Sequence, residues 1–133
     1  MKIQNLISFL IILLGMTACD SYHPADKEME SFPSIFPDYA SVTFPVNIAP
    51  PNFIIQEEGE GFQTEIGMVE AEPSFIVHSS QPVVQIPVKK WKELLSQASG
   101  KEIFFRICIL QNDQWVRYAD IRNTISSQPI DGY

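Results

Sequence analysis

Cys19 is the residue whose surroundings most clearly specify a chemical reaction. Lys2 provides the only charge ahead of it, Leu6–Met16 is a largely apolar run, and Ala18 directly precedes the cysteine. A charged start, a short apolar segment and a small-residue cleavage site make up a secretory signal peptide. A cysteine just after that site is the residue that bacterial lipoproteins acylate on its thiol. The sequence therefore predicts a signal peptide over 1–18 and lipid attachment at Cys19.

A membrane-spanning helix is the alternative interpretation of this segment. Such a helix needs about 20 apolar residues, and the run that ends at Met16 is shorter than that. Asp20 and His23–Pro24 follow it, where a stop-transfer segment would have basic residues. Met16 stands where lipoprotein signals favour Leu, so Ala18 is the best-fitting part of the cleavage site. The length of the run favours the signal peptide.

Charge and length limit what the rest of the chain can do. The 133 residues include 9 Lys or Arg and 16 Asp or Glu, a formal net charge of −7. Loss of 1–18 removes Lys2 and leaves 115 residues at −8, enough for one domain. Binding to nucleic acid needs Lys and Arg to displace counterions from phosphates, so no nucleic-acid partner is expected. Attraction to anionic lipids is equally weak, so an attached lipid would have to hold the protein on a membrane.

Three groups of residues could support catalysis or metal binding, and each is predicted to be structural. Cys108 is a lone thiol in an apolar stretch and is expected to be buried. His78 and Ser79 would point to opposite faces of a strand, and the chain has no G-x-S-x-G motif. The acidic segment Glu57–Gly61 could offer oxygen ligands to Ca²⁺, but a solvated turn is expected. No metal, cofactor or active site is predicted. A hydrolase would require His78 within hydrogen-bonding reach of a carboxylate and of a Ser or Cys.

The hydrophobic periodicity predicts an all-β domain. Apolar alternation indicates about seven short strands, at 41–47, 53–56, 62–70, 74–78, 83–88, 101–110 and 115–121, with a last edge strand at 125–133. The second and third of these are expected to pair as a hairpin around Glu57–Gly61. One short helix at 89–98 interrupts the strands, because its apolar residues share a single helical face: Trp91, Leu94, Leu95 and Ala98.

These elements predict three regions along the chain. After the signal peptide, residues 19–37 are polar and punctuated by prolines, which is typical of a flexible tether. Residues 38–133 are expected to form an immunoglobulin-like antiparallel β-sandwich with one short helix. Trp115 and Tyr118 are the candidate contact residues, because Trp115 follows the turn at 111–113 and would reach the surface.

Several segments also resemble the N-terminal domain of Bacteroidota envelope proteins described as TolB-like or cytochrome c biosynthesis-like. The segments are IFPDYASVTFPVNIAPPNF (Ile35–Phe53), WKELLSQASG (Trp91–Gly100), W-x-x-Y (Trp115–Tyr118) and Pro129–Asp131. The resemblance implies a β-sandwich that, in longer members, precedes a c-type haem motif and β-propeller repeats. This chain has no C-x-x-C-H and no repeats, so neither property carries over. The chain diverges at that junction, which favours a truncated front domain over a stand-alone one.

The sequence thus predicts a non-enzymatic, lipid-anchored protein of the cell envelope. Its sandwich would contact another envelope protein through strand edges that bear prolines. The alternative is a module that binds a glycan or another small ligand in a groove around Trp115. The lipid would attach it to the outer membrane, facing the periplasm or the cell surface. Acidic residues follow Cys19, as in the surface-export signals of Bacteroidota lipoproteins: Asp20, Asp26, Glu28 and Glu30.

Overall fold

The computed structural model describes residues 22–131. In this part of the chain it contains one helix, α1 (Val88–Ala98), and ten strands: β1 (Lys27–Glu28), β2 (Ile35–Phe36), β3 (Thr43–Phe44), β4 (Phe53–Ile55), β5 (Gly61–Met68), β6 (Phe75–Ser79), β7 (Val83–Val84), β8 (Glu102–Gln111), β9 (Gln114–Arg117) and β10 (Ile121–Ile125). No helix within residues 22–131 has the length and apolar character that crossing a bilayer requires.

A seven-stranded sheet is organised around β8, its longest strand. β5 pairs antiparallel with β8 over residues 61–68, and β6 pairs with the outer side of β5. The other side of β8 is shared, because β9 pairs with residues 108–111 and β10 with residues 102–105. β1 and β3 complete this side by pairing parallel with β9 and β10 respectively. The large sheet is therefore mixed, with two parallel pairs at its margin.

The inner face of the large sheet is covered by α1 and by a small sheet of order β2-β4-β7. Trp91, Leu94, Leu95 and Ala98 of α1 are buried, as their helical spacing predicts. Phe53 of the small sheet stacks on Phe105 of β8 with ring centroids 5.5 Å apart. Alternate residues of β8 are fully buried against these elements: Ile103, Phe105, Ile107 and Ile109. One apolar core between two layers holds the domain together.

The prediction of an all-β sandwich with one short helix is confirmed, in that two sheets and a single helix pack around one core. The finer immunoglobulin-like arrangement is not confirmed. The predicted hairpin of 53–56 with 62–70 is wrong, since β4 belongs to the small sheet and β5 to the large one. The connecting loop crosses between the layers, passing so close to β8 that a Cβ at Gly59 would overlap the Ile109 side chain.

The chain end also differs from the prediction. The strand expected at 115–121 ends at Arg117 in the structure, and the final strand is β10 (Ile121–Ile125). Residues 126–131 form no strand. Tyr118–Asp120 interrupt the path between β9 and β10, which lets these two strands follow one another along the same side of β8. The interruption places Asp120 beside Arg106 of β8, from which it accepts two hydrogen bonds.

Residues 22–37 differ most from the flexible tether that the sequence predicts. β1 pairs with β9, and β2 pairs with β4, so both strands of this region belong to the fold. Pro33 and Ile35 are buried. Neither strand has a period that the sequence reveals, because each is two residues long and is formed by pairing with a distant strand. The folded unit therefore begins well before Asp38.

Candidate functional site

The outer face of the large sheet, opposite α1, carries most of the side chains that could do chemistry. Strand pairing aligns His78, Gln63, Cys108 and Arg117 in one row across β6, β5, β8 and β9. Directly paired residues of adjacent strands project to the same face, so these four side chains lie side by side. A sheet whose second face carries buried polar residues needs hydrogen-bond partners there, and the structure supplies them.

The first partner is the N-terminal segment, defined here as residues 22–32, whose start at His23 lies over the row. Gln63 is 0 % exposed, and its side-chain amide pairs with the backbone of His23 in both directions. His23 N donates to Gln63 Oε1 at 2.9 Å, and Gln63 Nε2 donates to His23 O at 3.1 Å. The His23 ring stacks on Trp115 with centroids 4.5 Å apart and planes 12° apart. These contacts fasten the start of the segment to the sheet.

The remainder of the segment is held along the edge of β9. Asp26 N donates to Trp115 O at 2.8 Å, and Trp115 N donates to Asp26 Oδ2 at 2.9 Å. Further along, Met29 N donates to Arg117 O at 2.8 Å and Ala119 N donates to Ser31 O at 3.0 Å. Covering the edge in this way satisfies backbone groups that would otherwise invite pairing with another chain.

An ion cluster occupies the middle of the outer face. Arg106 makes two hydrogen bonds of 2.9 Å to the Asp120 carboxylate and lies 3.9 Å from Glu65 Oε2. Its guanidinium also stands 4.6 Å from the centre of the Phe104 ring. Burial raises the pKa of Glu65, which is 4 % exposed, and the nearby Arg106 offsets part of that rise. Hydrogen bonding to Asp120 raises the pKa of Arg106. A cation held this firmly has a structural role.

Cys108 and His78 do not form a catalytic pair. Gln63 lies between them in the row, so they are two strands, roughly 10 Å, apart. Burial raises the pKa of the Cys108 thiol to about 11, which keeps it protonated and unreactive at neutral pH. His78 is exposed on β6, with its ring centroid 6.3 Å from that of His23. Among residues 22–131, no cluster of three His, Cys, Asp or Glu residues is placed to hold a metal.

The three predicted site residues lie in different environments or outside the described part of the chain. Cys19 lies outside the described residues. Trp115 is half-buried, because His23 covers one face of its ring, and it does not lie under the helix. Tyr118 is wrong as a contact residue: it is 6 % exposed and belongs to the core, and its hydroxyl accepts a 3.1 Å hydrogen bond from Gln111 Nε2. Alternation from β9 places Tyr118 on the same face as the buried Val116 and opposite to Trp115, and Tyr118 N still donates to Ile107 O of β8 at 3.0 Å.

The acidic turn at 57–61 forms one wall of an open hollow beside the β8–β9 turn. The hollow has a volume of about 430 Å³ and is lined by Glu58, Gly59, Glu60, Leu110, Gln111 and Asn112. Gln111 Nε2 donates to Glu58 O at 2.8 Å, which ties the two turns together. Asn112 and Asp113 both have positive φ, as a two-residue type I′ hairpin turn requires. The glutamates of this turn are not arranged as ligands of a metal ion within residues 22–131.

The small sheet presents a surface that sequence analysis missed. Phe36, Ile54 and Val83 are paired across β2, β4 and β7, and their side chains are 62 %, 46 % and 43 % exposed. We call these three residues the apolar row. The signal was present in Phe53–Ile54–Ile55, an uninterrupted apolar strand of which only alternate residues can face the core. Exposed apolar residues that are paired across neighbouring strands form a candidate contact surface.

Comparison with known proteins adds no family to this description. No family model, curated protein or solved structure matches the chain. The resemblance to TolB-like envelope proteins therefore stays a prediction that rests on the sequence segments alone.

Proposed function

We propose that the protein is a non-enzymatic lipoprotein of the cell envelope, whose β-sandwich contacts another protein. The lipid on Cys19 attaches it to the outer membrane, and the folded domain supplies the contact surface. The single observation that carries the anchor is the charged, apolar and small-residue order of 1–18 followed by Cys19. The observation that supports the contact is the apolar row of the small sheet.

The apolar row suits contact with a protein better than contact with a sugar. It consists of one aromatic and two aliphatic side chains without a polar group among them, on the solvent-exposed side of the small sheet. Carbohydrates need hydrogen-bonding groups beside an aromatic ring, and Trp115 has one face already stacked on His23. Pro37 and Pro82 flank the two edge strands of the small sheet, which blocks long edge pairing and leaves the side chains as the recognition element.

Substitution of Cys19 by alanine is expected to abolish lipid attachment. The acyl groups have no other thiol to use, because Cys108 is buried and protonated. Radiolabelled palmitate should appear in the wild-type band and be absent from Cys19→Ala, and the variant should leave the membrane fraction. Cys108→Ala is the matched control and should keep both the label and the membrane attachment. Label retained in Cys19→Ala would contradict the anchor.

A photo-crosslinking residue placed at Ile54 is expected to give discrete adducts in cells. The position is exposed, so the probe fits without disturbing the core, and a partner bound to the row would lie within reach. The same probe at Lys92, exposed on α1, is the control and should give no adduct of that mass. Val83→Lys in the same row should abolish the Ile54 adduct. An adduct that survives Val83→Lys, or none at Ile54, would argue against this surface.

A further inference from the structure

We infer that the outer face of the large sheet lies flat against the lipid headgroups of the bilayer, with α1 and the apolar row turned away from it. This inference rests on the proposed anchor at Cys19. It adds an orientation, which a lipid attached through a flexible tether would not define. Three features of the structure and sequence carry it: the docked N-terminal segment, the short spacing to Cys19, and the side chains that the segment exposes.

The docked segment shortens the connection between lipid and domain. Only Asp20, Ser21 and Tyr22 separate Cys19 from His23, whose backbone is clamped by Gln63. Four peptide spacings reach at most about 14 Å, so the lipidated residue must stay within that distance of the outer face. A free tether over 20–37 would instead behave as a coil of roughly 23 Å root-mean-square length and would let the domain tumble. We call this pair of hydrogen bonds between Gln63 and the His23 backbone the clamp. It holds the domain in one orientation relative to the lipid, which a free tether would not do.

The position of the clamp selects the face. Gln63, Trp115 and His78 all project from the outer face, and His23 lies against the first two. The helix and small sheet pack on the opposite face. A lipid that enters the bilayer within about 14 Å of His23 brings the outer face towards the membrane. The solvent side of α1 is then roughly 15 Å further away, from the spacing of packed layers and the radius of a helix.

The exposed side chains of the N-terminal segment suit a membrane interface. Tyr22, Met29 and Phe32 are three of the large hydrophobic residues that the structure leaves exposed. Aromatic and apolar residues with a polar surrounding are favoured at headgroup depth. Met29 and Phe32 border an open hollow of about 330 Å³ whose charged lining residues are two arginines and two carboxylates: Arg117, Arg122, Glu28 and Asp120. These residues continue the surface from His23 along the sheet margin, so contact extends beyond the point of attachment.

The two arginines are compatible with headgroup contact without being the source of attachment. Arg117 lies 3.5 Å from Glu28, and Arg122 lies 3.9 Å from Glu102, in exposed pairs that hold each other weakly. Either guanidinium can turn to a phosphate at little cost. The protein's overall negative charge means that the lipid supplies the affinity, and the surface supplies only the orientation.

The test is quenching of a fluorophore by headgroup-labelled acceptor lipids, with the lipidated full-length protein in vesicles of neutral phospholipid. Single cysteines are introduced by His78→Cys and Glu102→Cys on the outer face, and by Lys92→Cys on α1. Cys19 is acylated and Cys108 is buried, so each new thiol is the one that labels. His78 and Glu102 stand about 20 Å apart along the strands, so they distinguish a face that lies flat from an end that points down.

We expect strong and similar quenching at positions 78 and 102, and at least about twofold weaker quenching at 92, given the separation of the layers. Strong quenching at 78 alone would overturn the flat orientation, and equal quenching at all three sites would overturn any orientation. Gln63→Ala, which removes the clamp, should bring the three sites together, whereas Gln97→Ala on exposed α1 should not. A purified protein whose mass lacks the lipid would instead refute the proposed anchor, and the inference with it.

Discussion

Replacement of Trp91 by alanine is expected to lower the free energy of unfolding by about 3–5 kcal/mol, the cost of truncating a large buried aromatic. Trp91 is fully buried, and its indole Nε1 donates a 3.0 Å hydrogen bond to the Ile48 carbonyl. Its ring also meets Phe44 edge to face, with centroids 6.2 Å apart. The residue thus joins α1 to the loop at 48 and to β3 at the margin of the large sheet.

The expected loss is large relative to the whole stability of such a domain. Single domains are stable by about 5–15 kcal/mol, so this substitution would remove a substantial fraction. It removes the ring that meets Phe44 and leaves the Ile48 carbonyl without its donor. We therefore expect Trp91→Ala to unfold at much lower denaturant concentration than the wild type.

Urea unfolding followed by circular dichroism and by the fluorescence of Trp115 measures this effect. Trp91→Phe retains most of the aromatic area and should lose clearly less stability than Trp91→Ala. The stability difference between Trp91→Phe and the wild type then reports the lost hydrogen bond together with the lost part of the ring. Lys92→Ala, one residue away on the exposed side of α1, should change stability by less than about 0.5 kcal/mol. A Trp91→Ala variant as stable as Lys92→Ala would refute the proposed role in the core.

Replacement of Arg106 by methionine should be the second most damaging change, costing about 2–4 kcal/mol at neutral pH. Removing one partner of a buried ion pair leaves the other charge without compensation. Glu65 would remain 4 % exposed without its cation, and Asp120 would lose two hydrogen bonds of 2.9 Å. Methionine fills much of the volume over Phe104, so the loss would report chiefly the charge.

The stability lost in Arg106→Met should increase as the pH rises. Burial raises the pKa of Glu65 above its ordinary value of 4.5, so the folded protein holds this proton more tightly than the unfolded chain does. Stability therefore falls as the pH rises from 4.5 through the higher folded pKa, and is recovered when Glu65 is protonated. Without Arg106 the pKa of Glu65 rises further. The variant should thus lose stability more steeply with rising pH than the wild type.

Substitution of Glu65 by glutamine provides the control for this prediction. The amide keeps the size of the side chain and an oxygen that Arg106 can donate to, but it cannot ionise. Glu65→Gln alone should change stability by less than about 1 kcal/mol and flatten its pH dependence. The double variant with Arg106→Met should recover part of the stability that Arg106→Met loses, which a double-mutant cycle quantifies. No recovery, or an unchanged pH slope, would assign the loss to something other than the buried carboxylate.

Local sequence patterns predicted the elements that are specified by residues close together in the chain. The apolar spacing of Trp91, Leu94, Leu95 and Ala98 places α1 within one residue of its observed bounds, and Gly100 after it has the positive φ expected near a C-terminal cap. The apolar stretch around Cys108 is β8, covered on both faces as its composition indicates. In each case the period of the side chains, 3.6 or 2, follows from the backbone itself and can be read without knowing the partner.

Pairing between distant parts of the chain leaves no local pattern in the sequence. β1 and β2 are two residues long and have no period to detect, so residues 22–37 resemble a tether although they belong to the fold. Gln63 appears as an ordinary polar residue of a strand, whereas its partner His23 lies 40 residues earlier. Asn123 is a similar case, because it is buried and holds the loop at 39–42 by accepting from Val42 N and donating to Tyr39 O.

The sequence by itself determined the signal-peptide pattern, the predicted lipid attachment at Cys19, the acidic charge, the helix and the all-β class. Only the tertiary structure decided which face of the large sheet meets the helix and which meets the N-terminal segment. It also decided that Tyr118 is buried while Phe36, Ile54 and Val83 are exposed. The physical reason is that alternation along a strand sorts side chains into two faces, but the elements that cover each face are chosen by contacts between distant parts of the chain.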